Sequence, residues 1–231
     1  MDFGAKVITT IGGVNITQTM MNTWIIIVLL TIVALILRAK INKFTDVPTT
    51  KLQNIVELII ETMENFVIQN MGEKYKYFGN WFFGVFCFIL VSNYFGLLSF
   101  RAPTADLGTT LALSLATFAL IHFMGIKVNK GAYFKGYLEP LPLLLPLNII
   151  GEIATPISLS LRLFGNILGG TIIMGLVYSA LSKGHLLIQV LGYGAITPLL
   201  HAYFDVFAGF LQTFIFVILS MTFIKDKIGD E

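Results

Sequence analysis

YLEPLPLLLPLNIIGEIATPISLSLRLFGNILGGTIIMGLVYSALS, residues 137–182, decides the fold. The run is apolar, small or weakly polar almost throughout, and near its middle stands one arginine, Arg162. A guanidinium keeps its proton above about pH 12, so it cannot shed its charge to enter lipid. At the centre of a bilayer it costs roughly 2.5–3.5 kcal/mol on insertion scales. A chain that carries such a charge there uses it. The run is also longer than the ~20 residues a perpendicular helix needs to cross the hydrocarbon. It must therefore be tilted, broken or folded partly in the membrane plane.

The rest of the chain agrees with a membrane setting. It has 231 residues, 56% of them hydrophobic and only 12% charged, against about 25% charged in soluble domains. A net charge of +2 is too small to argue for nucleic acid. The lone cysteine, Cys87, excludes a disulfide framework and cannot build a zinc site. It reads as a small buried hydrophobe. There is no phosphate loop, no metal-ligand cluster and no nucleophile with a base. The chain therefore reads as one membrane domain, 1–231, without a catalytic site or a cofactor.

Outward from the opening stretch, the spans follow from hydropathy. Residues 1–22 are mixed and polar, without the basic and apolar regions of a cleaved leader. Residues 23–37 form span 1, with Trp24 at the start and Arg38, Lys40 and Lys43 just beyond the end. Residues 48–71 start with Pro48, Thr49 and Thr50 and place Leu52, Ile55, Val56, Ile59, Ile60, Met63, Phe66 and Val67 at helical spacing. Glu57, Glu61 and Glu64 take the other face, so this is a surface amphipathic helix whose acidic side suits protein better than anionic lipid. Residues 81–100 are span 2 and 109–128 span 3, where His122 reads as a satisfied or interfacial histidine. The long helix 138–182 and a last long helix, 186–224, complete the chain. Pro140, Pro142, Pro146, Pro156 and Pro198 allow breaks in them where neighbours satisfy the freed backbone. The fold class is all-α and polytopic, with about five traverses.

Charge orients it. Placing 38–80, 127–137 and 225–231 in the cytoplasm collects 11 of the 15 Lys and Arg there. Basic residues concentrate on the cytoplasmic side, so the N-terminus lies outside and the C-terminus in the cytoplasm. No internal repeat is evident, which weighs against inverted-repeat transporters.

Two side-chain stripes carry the chemistry. On a helix at about 100° per residue, Gly151, Thr155 and Gly169 fall within about 20° of Arg162, and Asn148, Ser158 and Asn166 within about 40°. Small residues let another helix approach closely. Pro156 predicts a kink. Glu152 lies about 80° from the arginine and is no direct partner. The second stripe is His201, Asp205, Ala208, Gly209 and Gln212. An Arg162–Asp205 ion pair that only holds two helices together is one reading. A functional role is the default inside a membrane. For His201 and Glu152 both readings stay open.

The run SLSLRLFGNILGG, residues 158–170, closely resembles the signature of subunit a of F-type ATP synthases. The run FAGFLQTFIFVILSMTFI, residues 207–224, is similar to the family's other signature, with Gln212 at its glutamine, and PLPLLLPLNIIGEIATPISLSLRL also looks like the family. The resemblance implies a stator beside a rotating ring of c subunits, with peripheral-stalk b subunits, in a bacterial plasma membrane. It implies that two long tilted helices form a hairpin against the ring, and that Arg162 is the essential arginine, with Asn166 and Gln212 nearby. Half-channels would carry protons, or sodium in some members, with Asp205, His201 and Glu152 as titratable groups and Gly151, Thr155, Ser158 and Gly169 facing the ring. Two departures stand out: the family's glutamate position is Thr171 here, and its histidine position is Asp205. The acid is expected to have moved from one helix to the other. The competing readings are a stand-alone ion channel or secondary transporter, and a structural scaffold.

Overall fold

A computed structural model describes residues 6–42, 44, 50–98, 100–138 and 141–229. Lys43, Pro48, Thr49 and Pro140 lie outside them. The chain is an all-α polytopic membrane protein, with five helices among the described residues long and apolar enough to cross a bilayer.

The first described element is a β-hairpin, which the polar character of residues 1–22 concealed. Strands β1 (Val7–Ile11) and β2 (Val14–Thr17) pair antiparallel. Gly12 and Gly13 make the turn at φ +59° and +83°, the left-handed values that a two-residue hairpin turn demands. Thr17 then caps α1 (Gln18–Ile41) by accepting from the Met20 amide. Most of α1 faces outward, with Trp24 70% exposed. Its buried start is tied by polar contacts: Thr19 donates to Asp106 Oδ2 at 2.7 Å, and Asn22 to the Arg101 carbonyl at 2.8 Å.

Helix α2 (Lys51–Met71) is capped by Thr50 and stopped by Gly72 at φ +95°. Its second half packs Val67 and Met71 into a core with Phe78, Phe82 and Met221. Glu64 pairs with Lys76 at 3.0 Å. The first half leaves Ile55 and Leu58 exposed. Helix α3 (Gly79–Tyr94) is lengthened at both ends by 3-10 turns, so the second span covers Glu73–Leu98. Asp106 caps α4 (Leu107–Asn129), and a short α5 (Gly131–Gly136) follows.

The last two helices are the longest. Helix α6 (Leu145–Leu181) runs unbroken through Pro156, which is buried. Pro142 and Pro146 lie at helix starts, where a missing N–H costs nothing. Helix α7 (Leu186–Ile228) is likewise continuous, but two turns of it are π-helical, Gly192–Ile196 and Ala202–Phe207. Pro198 follows the first of these. It cannot donate to the carbonyl four residues back, and the wider turn absorbs the mismatch. Thr197 donates to the Tyr193 carbonyl at 3.0 Å and satisfies a neighbouring acceptor. Beyond the second π turn, Thr213, Val217, Ser220, Met221 and Ile224 form the buried side of α7, against α2, α3, α4 and α6.

Candidate functional site

Arg162 lies on the side of α6 that the chain leaves open. The buried side of that helix is Pro156, Leu159, Ser160, Leu163, Gly170 and Met174. Arg162 is exposed, as are Gly151, Ser158 and Gly165, while Thr155, Asn166 and Gly169 are half-buried. A Cβ added at Gly151, Gly165 or Gly169 would meet nothing within 4 Å. By contrast, a Cβ at Gly170 would sit 3.5 Å from Phe204, and one at Gly209 would sit 3.3 Å from Asn93. The glycines beside Arg162 are thus not demanded by packing inside this chain. Among the described residues, no ion pair or hydrogen bond reaches the Arg162 guanidinium. One turn on, Asn166 buries its Nδ2 without a partner among them.

A cavity of about 480 Å³ opens at the end of the bundle where α1 begins. Helix α6 lines it with Ile167, Gly170, Thr171 and Tyr178, α7 with His201, Phe204 and Asp205. His201 and Asp205 are one turn apart and pair at 2.5 Å, through Nδ1 and Oδ2. With Nδ1 donating, the other ring nitrogen of a neutral imidazole accepts, and the Tyr178 hydroxyl lies 2.8 Å from it. The result is a hydrogen-bonded chain, Tyr178–His201–Asp205, across two helices. Thr171 and Asp205, the two positions that depart from the family pattern, line this same cavity. Asp205 is bonded to His201, not to Arg162.

A second cavity, about 560 Å³, lies at the other end, where α7 finishes. Asn148, Gly151, Glu152 and Thr155 of α6 face Tyr133, Tyr137 and Lys227 there. The Lys227 ammonium donates to Glu152 Oε1. The Tyr133 hydroxyl lies 2.7 Å from that of Tyr137 and 3.0 Å from His122 Nδ1. Asn148 donates to the Tyr137 carbonyl at 2.8 Å. Burial foremost, then the hydrogen bond with Tyr133 and the charge of Glu152, hold the Tyr137 phenol above its ordinary range.

Arg162 borders neither cavity, and on α6 it stands between the residues that line one and those that line the other. Gln212, half-buried on α7, also lines neither. The π turn at Ala202–Phe207 shifts the helical phase between Asp205 and Gln212, which separates two residues that an ideal α-helix would stack. Sequence reading did not single out Tyr178 or Lys227, whose partners lie on other helices and are signalled by no spacing, nor Tyr133 and Tyr137, which pair four residues apart in a short segment between the long helices. It also passed over Asn93. That buried residue donates to the Gly209 carbonyl at 2.9 Å and to Thr213 at 3.2 Å, and accepts from Thr104 at 2.7 Å. A polar asparagine in an apolar span was the available signal.

The family described as ATP synthase A chain matches residues 20–225. A protein of Propionigenium modestum named ATP synthase subunit a, sodium ion specific, is 33% identical over 99% of this chain and 80% of its own length. ATP synthase subunit a of Streptococcus agalactiae is 36% identical over 82% of this chain and 83% of its own. The Bacillus pumilus counterpart is 33% identical over 90% and 91%.

Proposed function

Since the chain belongs to the ATP synthase subunit a family, an ion-translocating stator subunit of the membrane sector, we propose that its two cavities are offset half-channels and that Arg162 separates them. The observation that carries this reading is the placement of Arg162: exposed on a small-residue face, with one cavity toward each end of the bundle and part of neither. An ion entering either cavity meets a carboxylate, Asp205 in one and Glu152 in the other, but finds no continuous route across. The missing link is a second surface that moves. The open face of α6, with Gly151, Thr155, Ser158 and Gly169, suits the close approach of another helix. We assign that surface to a ring of c subunits, each carrying a mid-membrane carboxylate. The b subunits of the peripheral stalk and the remainder of the synthase complete the assembly. The cavity containing Asp205 opens outside and the one containing Glu152 to the cytoplasm. The N-terminus is outside and the C-terminus cytoplasmic, in a bacterial plasma membrane.

The fixed charge of Arg162 favours a deprotonated ring carboxylate opposite it and repels a free cation. Two unit charges 4 Å apart interact by about 4 kcal/mol at an effective dielectric of 20. A membrane potential of 100 mV supplies about 2.3 kcal/mol per charge. The two are comparable, so a contact holds the ring briefly and the potential still drives it past. Asn166, one turn from the arginine on α6, and Gln212 of α7 would offer amide groups to the passing carboxylate. The coupling ion is taken as a proton, because a Tyr–His–Asp chain passes protons; sodium is the alternative. Sodium-dependent ATP hydrolysis by the whole complex would decide for sodium.

The decisive experiment is Arg162→Ala in the assembled complex. ATP-driven ion pumping into inverted membrane vesicles should be lost while the subunit stays in the complex. Pumping that survives refutes the proposal. A stand-alone channel or transporter would instead move ions as the purified subunit without the ring.

A further inference from the structure

The cavity bounded by Glu152 holds a second charge that the ion route does not use. Of the residues lining it, Glu152 and Asp226 are the acids, and Lys227 places its ammonium directly on Glu152. That ammonium is also roofed by the Tyr137 ring, 5.0 Å from its centroid, and the Tyr133 ring, at 5.9 Å. Aromatic faces attract cations at such distances. The enclosure is built into the packing. A Cβ on Gly125 would lie 2.5 Å from the Tyr133 ring and 3.3 Å from the Lys227 Cβ, so only glycine leaves room for both. Asn129 donates to the Lys227 carbonyl at 2.6 Å and fixes the backbone that carries the lysine. The Lys227 and Glu152 side chains remain 29% and 18% exposed, so water reaches the pair and it can open.

We propose that Lys227 is a tethered competitor for the translocated cation at Glu152, and so gates the cytoplasmic cavity. The inference rests on the half-channel reading above. A mobile cation reaching Glu152 must take the place that the ammonium holds. Lys227 can swing off the carboxylate but cannot leave the cavity, so it competes at a fixed and high effective concentration. Competition raises the cation concentration needed for half-maximal flux and leaves the maximum unchanged. A partly exposed pair is worth up to a factor of about five. A clamp that merely joins α6 to α7 would behave differently, since breaking it would loosen the cavity and lower the maximum.

The test uses vesicles carrying the assembled membrane sector with the catalytic head removed. Passive flux is measured from the cytoplasmic side against cation concentration, with a pH-sensitive dye for protons and radiolabelled sodium for sodium. Each variant is normalised to its content of this subunit. Lys227→Gln should lower the half-saturating concentration roughly fivefold with the maximum unchanged, and Lys227→Arg should match the wild type. Adding Glu152→Gln should remove the gain. An unchanged half-saturation, a lowered maximum, or loss of the subunit from the Lys227→Gln complex overturns the proposal, the last two by assigning the pair to structure. Glu152→Gln alone separates the two levels. If it leaves flux at the wild-type value, the cavity is not the ion route. If it slows flux while Lys227→Gln changes nothing, only the gate is refuted.

Discussion

Asp205→Asn tests the chemistry of the cavity at the α1 end most directly. The substitution keeps size and removes the charge from a group bonded to His201 at 2.5 Å, which in turn meets Tyr178 at 2.8 Å. A hydrogen bond to a charged group contributes about 1.5–3 kcal/mol and a neutral one about 0.5–1.5, so the exchange costs about 1–2 kcal/mol. The His201 side chain is 37% exposed and that of Asp205 25% exposed, and solvent screening moves the figure to the lower end. A loss of ~1 kcal/mol corresponds to about fivefold in site occupancy. ATP-driven pumping into inverted vesicles, normalised to the amount of assembled complex, should therefore fall about fivefold. Because Thr171 lines the same cavity from the facing helix, Thr171→Glu in the Asp205→Asn background should restore most of the loss. Pumping unchanged in Asp205→Asn would refute the role of the carboxylate. A loss that Thr171→Glu does not repair would refute the transposition of the acid between the helices.

Further substitutions probe the surfaces around this site. A Cβ added at Gly169 meets nothing within 4 Å, so with Gly169→Ala the subunit should insert and assemble while ring rotation slows; an unaffected rate in single-molecule rotation would remove Gly169 from the ring-facing surface. Gly125→Ala forces a Cβ against the Tyr133 ring, at a cost of about 1–3 kcal/mol for overpacking, and should lower the temperature at which the subunit leaves the complex. Asn93→Leu strips Thr104, 0% exposed, of its acceptor and releases α3 from the Gly209 carbonyl. A buried group left unpaired costs about 1–3 kcal/mol, readable as the same shift in thermal release. The tyrosinate spectrum of wild type minus Tyr137→Phe should show no step near the ordinary ~10. The folded phenol titrates higher, so its contribution to stability is complete below that pH and fades as pH rises toward the folded value.

What could be read beforehand followed the strength of each local signal. Apolar runs located the spanning helices, and the excess lengths of 137–182 and 186–224 marked the places of the long helices α6 and α7. The arginine and its glycine neighbours were legible because one helix carries them all, at a fixed angle per residue. Contacts between helices were not legible. Lys227 stands 75 positions from Glu152 and Tyr178 stands 23 from His201, and no period links either pair. The π turns escaped because the i→i+5 pattern is a response to packing and to Pro198, not a propensity of Gly-Tyr-Gly-Ala-Ile. The hairpin at Val7–Thr17 is a different case. Gly12-Gly13 between β-branched residues is a strong turn signal, and it was obscured by the polar composition around it.

The distribution of charge within the two long helices narrows what Arg162 can be for. Three carboxylates of α6 and α7 line the cavities: Glu152 has Lys227 and Asp205 has His201, while Asp226 stands beside Lys227 in the cavity that Arg162 does not border. Among the described residues none of the three reaches Arg162: Glu152 and Asp205 are paired elsewhere, and Asp226 lines a cavity that Arg162 does not border. Nor does the fold bury the guanidinium to hide it, since Arg162 is exposed beside glycines whose Cβ positions face open space. Lipid alone on that face would leave the full insertion cost unmet. The proposed reading therefore takes the counter-charge from another chain. On that reading the contact is also transient, because a permanent partner would leave no reason for a row of small residues over several turns. A stationary partner favours interlocking large and small side chains; a moving one favours the row of small residues that α6 presents. Replacing Arg162 with Lys separates these cases. A static pair tolerates the exchange, since the charge is kept. A passing carboxylate does not, because a desolvated ammonium gives up its proton between contacts and lacks the planar fork. Pumping should then fall nearly as far as in Arg162→Ala. Near-normal pumping in Arg162→Lys would mean that the partner never leaves.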